Sequence, residues 1–485
     1  MEQAVVNAGR SSGGEGAKLR RSMGVWMATA LVVGNMVGSG IFLLPASLAS
    51  VAGPISIFGW VFTGVGAMLL ALVFSRLARS LPRSGGPYAY ARRAFGDFIG
   101  FQTAWGYWIA AWAGNAAIAV AFVGYLAVFW PGLGSDNLLA ALVGIGVIWL
   151  LTLVNVLGTR ESGAVQLVTT ILKFVPLALI GLIGLFFIDG SNLKPFAPHG
   201  TWSAISAAAP LTLWAFIGLE SAAVAAEEVK DPERNIPRAT VFGTLAATVV
   251  YILGTIAVMG VIPAGTLAES TSPFADAAGQ MFGGGWGKVV ALVALISTFG
   301  ALNGWTLLTA RVPLAAAEDG LFPESFARVS GKRRTPVFGL VVSSVLVTVL
   351  MLMNYTKGLV DAFTFIILLA TLTTLIPYAY SAAAQAYLYV TDRSLFEGGR
   401  FARDTTIAAL AFAYSLWAIT GAGKDIIAKG FLLLLAGIPV YVLMKWWQTR
   451  GAEKHAAELS APSAALSPHP VGTVTAMAED TERRS

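Results

Sequence analysis

From about Gly24 onward the chain is a succession of apolar runs separated by short polar connections. Each run comes close to the roughly twenty residues that a helix needs to cross about 30 Å of hydrocarbon. Twelve can be counted, at 24–48, 55–78, 98–128, 137–157, 163–188, 206–228, 237–262, 287–312, 335–355, 360–390, 405–421 and 427–447. The pattern predicts an all-α membrane protein of twelve transmembrane helices, since a helix satisfies its backbone polar groups within one segment. The first 22 residues are polar, hold the basic cluster Lys18, Arg20 and Arg21, and have no apolar stretch of the signal-peptide kind. The C-terminal stretch, rich in Ala, Ser, Pro and charge, carries too little apolar surface to fold alone. The expected organisation is a disordered tail at 1–22, a membrane domain at 23–447 and a second disordered tail at 448–485.

Composition supports this. A chain of 485 residues would suggest about three soluble domains by length. Yet only 12% of its residues are charged and 56% are apolar, with a mean hydropathy of +0.72, too little polar surface for water-facing globules. The 53 glycines suit closely packed transmembrane helices. With no cysteine and three histidines, all outside the apolar runs at 199, 455 and 469, a metal centre is not expected, and neither is a cofactor.

The net charge of +6 does not point to nucleic acid, because the basic residues sort by side of a bilayer. The N-terminal tail, the connections after the even-numbered helices and the C-terminal tail hold 26 of the 32 Lys and Arg. The other side holds five: Lys194, Lys288, Lys357, Lys424 and Lys429. Lys173 lies inside a helix. The asymmetry predicts cytoplasmic termini at both ends of a multi-pass protein of the inner (plasma) membrane.

Two of the apolar runs are interrupted. The first contains Gly34-Asn35-Met36-Val37-Gly38-Ser39-Gly40-Ile41-Phe42, and the sixth contains Trp214-Ala215-Phe216-Ile217-Gly218-Leu219-Glu220-Ser221. Each glycine weakens a helix by about 1 kcal/mol relative to alanine, so both segments invite unwinding at mid-membrane depth. Interruptions at corresponding places in the first and sixth helices point to a transporter built from two inverted five-helix repeats, with the unwound backbone lining a central site. Taken alone, Gly34 and Gly38 also fit a small-residue packing face.

Three strings carry a resemblance: residues 34–42 above, Pro-Arg-Ser-Gly-Gly-Pro-Tyr-Ala-Tyr-Ala-Arg-Arg-Ala-Phe-Gly at 82–96, and Ala-Glu-Glu-Val-Lys-Asp-Pro-Glu-Arg-Asn-Ile-Pro-Arg-Ala at 226–239. They resemble the amino acid–polyamine–organocation transporter superfamily, and the similarity runs from the first helix to the last. Within it, residues 214–221, Gly-Trp-Thr-Leu-Leu at 304–308 and Asp-Gly-Leu-Phe-Pro at 319–323 are most similar to the bacterial arginine/agmatine antiporters. The resemblance implies a LeuT-like fold, with one repeat at about 24–188, the other at about 206–390 and two further helices at about 405–447. It also implies a homodimer.

A free amino acid must shed water from a carboxylate and an ammonium at the bilayer midplane. The half-helix restarting after the first break offers N–H groups and a positive dipole end to the carboxylate, which makes Ser39 and Gly40 the candidates there. Carbonyls freed at Met36, Trp214 and Ile217 are candidate acceptors for the ammonium, as the resemblance also implies. Trp214 and Trp305 lie near mid-helix, away from the interfacial belts, and a desolvated tryptophan face gains about 2 kcal/mol over a cation. They match the antiporters' gate and substrate-stacking tryptophans. Asn115 matches a contact to the ligand side chain, with an interhelical hydrogen bond as the alternative. Ile118 and Ala370 depart from the pattern, standing where those antiporters carry a Met and a Ser, and the lost hydroxyl weakens the case for guanidinium recognition.

Glu220 is an acidic residue deep in a span, a functional candidate by location alone. In the antiporters the matching glutamate is linked to gating and pH response, with tyrosines matching Tyr107 and Tyr378 beside it. Glu227, Glu228, Lys230, Asp231 and Arg234 read instead as a solvated helix end. Lys173 follows Gly163 by ten positions, about 15 Å into the membrane, too deep to snorkel. A lysine there suits loading and release of a proton. Proton-coupled members of the superfamily carry such a lysine, whereas the arginine/agmatine exchangers lack it. The expected function is secondary transport of cationic amino acids or their amines by exchange, with proton-coupled symport of broader specificity as the alternative. Substrate and protons are the expected small partners. The motifs HExxH and GxxxxGK[ST] are absent, as is a repeated filter-like segment, and GxSxG occurs once, at 9–13 in the polar N-terminal tail and outside every apolar run, which argues against an enzyme, an ATP-driven pump or a channel.

Overall fold

The computed structural model describes residues 23–38, 40–81, 85–158, 163–224, 226–330, 335–396 and 400–460. The described residues are all-helical apart from turns, short 3-10 segments and one isolated bridge between Met23 and Val229. In chain order the helices are α1 (Val25–Met36), α2 (Gly40–Val51), α3 (Ser56–Ser80), α4 (Pro87–Phe95), α5 (Asp97–Leu126), α6 (Asn137–Val156), α7 (Gly163–Gly184) and α8 (Trp202–Trp214). They continue with α9 (Ser221–Val224), α10 (Pro232–Val261), α11 (Pro273–Phe282), α12 (Gly284–Glu318), α13 (Val337–Asn354), α14 (Leu359–Thr391), α15 (Phe401–Gly421), α16 (Lys424–Leu435) and α17 (Gly437–Ser460), two short turns aside.

Among the described residues, ten helical stretches are long and apolar enough to cross a membrane. Two of the twelve expected segments fall outside that set. The sixth is cut between α8 and α9, so neither piece has the length. The eleventh, α15, is 21 residues long but carries Arg403, Asp404, Thr405 and Thr406 within its first two turns.

One compact unit runs to Tyr441 and a second begins at Val442. Helix α17 continues to Ser460, beyond the boundary at 447 expected from hydropathy, because Ala, Glu and Lys around 452–459 are good helix formers even where they are polar. The tails at 1–22 and 461–485 lie outside the described residues.

Within the first unit α5 is the central post, buried along most of its length from Gly100 to Tyr125. It packs on α12 and α14, while α3 packs on α8, α10 and α15, and α1 lies against α7 and α10. A helix that is apolar all round can be buried this fully only when helices surround it. Small residues allow the approach: a Cβ on Gly243 of α10 would stand 2.8 Å from Val32 of α1, and one on Gly181 of α7 would stand 3.0 Å from the backbone of Gly254 in α10.

Candidate functional site

Both interruptions foreseen in the sequence are present. The first run ends as a helix at Met36 and restarts at Gly40, with Gly38 turned back onto the Met36 carbonyl at 2.9 Å. Ser39 lies outside the described residues. The second run leaves helical geometry after Trp214 and passes through successive tight turns before α9 starts at Ser221. Gly218 has φ +112°, a conformation that glycine alone adopts without strain.

The two breaks fit into each other. A Cβ on Gly218 would stand 3.0 Å from Asn35 Cβ, and a Cβ on Gly40 would stand 3.1 Å from the Ala215 Cα and 3.2 Å from Trp214 Cδ1. Each break therefore presents its glycine to the other's backbone. Asn35 Nδ2 donates to Ser221 Oγ at 2.7 Å, a bond between the two broken helices.

Two small cavities flank this crossing and share Trp214, Ile217 and Trp305 in their walls. The first, about 20 Å³, is completed by Asn35, Met36, Gly38, Gly40 and Ile118. The second, about 10 Å³, is completed by Tyr107, Ala110, Ala111, Gly114 and Thr374. Met36, Gly40, Trp214, Ile217 and Trp305, named from sequence, are thus brought together. Each cavity is below the roughly 300–1,000 Å³ of ordinary ligand pockets, so a substrate the size of an amino acid enters only if the helices part. Trp214 Nε1 is buried with no hydrogen-bond partner among the described residues, as is Asn115 Oδ1. Asn115 sits next to Gly114 in α5 but lines neither cavity. The carbonyls of Met36 and Trp214, expected to be free, accept local turn bonds from Gly38 and Ile217, a consequence of the tight turns that follow each half-helix.

Glu220 is completely buried behind the second cavity. Tyr107 from α5 donates to one carboxylate oxygen and Tyr378 from α14 donates to the other at 2.5 Å, with the Gly218 N–H at 3.2 Å. Tyr107 also lines a third and much larger cavity, about 410 Å³, whose walls include Asn35, Ser221, Tyr88, Glu228, Arg311 and Glu318. The Tyr107–Glu220–Tyr378 bridge accordingly stands where the inner cavity and this vestibule adjoin. At the vestibule, Tyr88 donates to Asp319 at 3.2 Å, and burial together with the Asp319 charge pushes its phenol well above the usual range.

The chain matches the amino acid permease family model over residues 23–441. It belongs to that family.

Three relatives are the putrescine transporter PotE of Haemophilus influenzae, a putative arginine/ornithine antiporter of Bacillus subtilis and the cadaverine/lysine antiporter of Escherichia coli K12. Identity is 36% to the first over 86% of this chain and 96% of the relative, and 36% to the second over 87% and 96%. It is 34% to the third over 90% and 98%. This permease is thus a multi-pass membrane transporter, and neither the family nor these relatives point to an enzyme.

Lys173 of the permease is buried in α7, 4% exposed, and lines none of the three cavities. Ile118 forms part of the first cavity, whereas Ala370 is fully buried away from both. The Ala370 carbonyl accepts the Thr374 hydroxyl at 2.9 Å, and it is Thr374, one turn further along α14, that brings a hydroxyl to the second cavity. Sequence reasoning did not single out Asn35, Ser221, Thr374 or Gly114. The first two carried a signal, as polar residues inside the broken segments. Gly114 and Thr374 carried none, since a small residue or a threonine in an apolar helix is ordinary.

Proposed function

We propose that this permease is a secondary transporter that exchanges cationic amino acids and their amines across the bacterial inner membrane by alternating access. The observation that carries the reading is the crossing of the two broken helices, where Met36, Gly40, Trp214, Ile217 and Trp305 share one closed-down site. The N-terminus of α2 at Gly40 offers donors to a carboxylate, and the two indoles offer faces to a cation. Relatives named for putrescine, arginine/ornithine and cadaverine/lysine support the cationic class. The Tyr107–Glu220–Tyr378 bridge is the gate between the site and the vestibule, and Asn115 joins the site once it opens.

The architecture belonging to this reading is twelve spans, counting the broken sixth and the short eleventh, arranged as two inverted repeats with both termini in the cytoplasm. The membrane domain at 23–447 works as a homodimer with tails that take no part in the site. Counterflow in proteoliposomes against arginine, agmatine, ornithine, lysine, cadaverine, putrescine and neutral amino acids tests it. Exchange of several cationic substrates is expected; preference for neutral amino acids overturns it.

Buried Lys173 favours a second reading, proton-coupled uptake. Uptake into empty vesicles driven by a pH gradient separates the two.

A further inference from the structure

We propose that Lys357 and Lys429 hold the phosphate of an anionic phospholipid at the outer ends of α14 and α16. The proposal rests on the chain spanning a membrane and is independent of which substrate it carries.

Two ammonium groups converge on one ring here. Lys357 Nζ stands 3.9 Å from the centroid of Phe365, and Lys429 Nζ stands 5.0 Å from the same centroid. Both lysines are exposed and Phe365 is half-buried. None of the ion pairs among the described residues includes either lysine, although Asp425 precedes Lys429 by one turn and Asp361 precedes Phe365 by one turn. One half-buried phenyl ring repays little of the repulsion between two cations, whereas an anion bound by both reverses its sign.

The surroundings select the kind of anion. Beneath Phe365 lies a separate apolar cluster in which Leu372 of α14 meets Ala422 and Ile426, between the end of α15 and the start of α16. From Lys429 onward α16 shows Phe431, Leu432 and Leu435 to the surroundings, and Leu432 is 66% exposed. A dicationic cap over an apolar helical surface matches a phosphate head joined to acyl chains. Three of the five lysines on this side of the chain, Lys357, Lys424 and Lys429, fall in this corner.

The test uses the full-length protein in micelles containing equimolar phosphatidylglycerol and phosphatidylcholine, with retained lipid read by native mass spectrometry. Wild type is expected to retain phosphatidylglycerol over phosphatidylcholine by about fivefold. The double variant Lys357→Gln/Lys429→Gln should lose that preference, and Lys288→Gln, on the same side but outside this corner, should keep it. Equal retention of the two lipids by wild type, an undiminished preference in the double variant, or an equal loss in Lys288→Gln overturns the proposal. Displacement of phosphatidylglycerol by millimolar inorganic phosphate also overturns it, in favour of a free-anion site. If the double variant does not fold, the single variants carry the same comparison, each expected to lose part of the preference.

Discussion

Substituting Gly218 by alanine tests the interlock of the two broken helices. At φ +112° an L residue pays a backbone strain of about 1–3 kcal/mol. The new Cβ would also stand 3.0 Å from Asn35 Cβ and 3.1 Å from the Asn35 carbonyl carbon, closer than real Cβ atoms tolerate without a shift. Overpacking of that kind costs about 1–3 kcal/mol more. Asn35 cannot retreat freely, because it is bonded to Ser221 and its own backbone leads into the first break. The expected result is a loss of about 2–4 kcal/mol of stability, less than the full sum because part of the strain relaxes, with counterflow reduced at least about tenfold. Gly300→Ala in α12 is the internal comparison: it is helical and no atom lies within 4 Å of a Cβ there. It should be neutral or stabilising by up to about 1 kcal/mol from helix propensity alone. Thermal unfolding of both variants in detergent, beside counterflow in liposomes, gives the comparison. Wild-type stability and transport in Gly218→Ala would refute the interlock, and equal damage in Gly300→Ala would show that any alanine in these helices is harmful.

Other outcomes follow from the site. Trp305→Leu should weaken a cationic ligand by about 1–2 kcal/mol, five- to thirtyfold in affinity, and a neutral amino acid less; an equal loss for both would remove the cation–π assignment. Tyr378→Phe deletes one of two hydroxyl donors to the buried Glu220 carboxylate, a bond worth about 1.5–3 kcal/mol. It should raise leak of preloaded substrate about tenfold while binding stays near wild type, and an unchanged leak would separate this bridge from gating. Lys173→Ala should abolish pH-driven uptake into empty vesicles if the second reading holds; uptake that needs internal substrate and ignores the gradient in both proteins would assign pure exchange.

Much of this architecture is legible from residues alone, for a physical reason. Lipid offers no hydrogen bonds, so each crossing must be a continuous apolar helix, and the hydropathy of a chain reports such helices locally. Glycines beside polar residues at 34–42 and 214–221 report the exceptions by the same logic, and the structure breaks both helices there. What the runs could not convey is which break touches which. Asn35 and Ser221 meet across 186 positions, and Tyr107 and Tyr378 reach Glu220 across 113 and 158. The tyrosines entered the reading only through resemblance to a family, because a tyrosine in an apolar helix has no local mark of its partner. The division of the site into two small cavities, and the hydroxyl brought by Thr374 instead of residue 370, depend on side-chain volumes from six separate helical segments. Local patterning selects helices and their interruptions; only close packing decides which atoms of distant helices come within hydrogen-bond range, since that depends on the summed shapes of all of them.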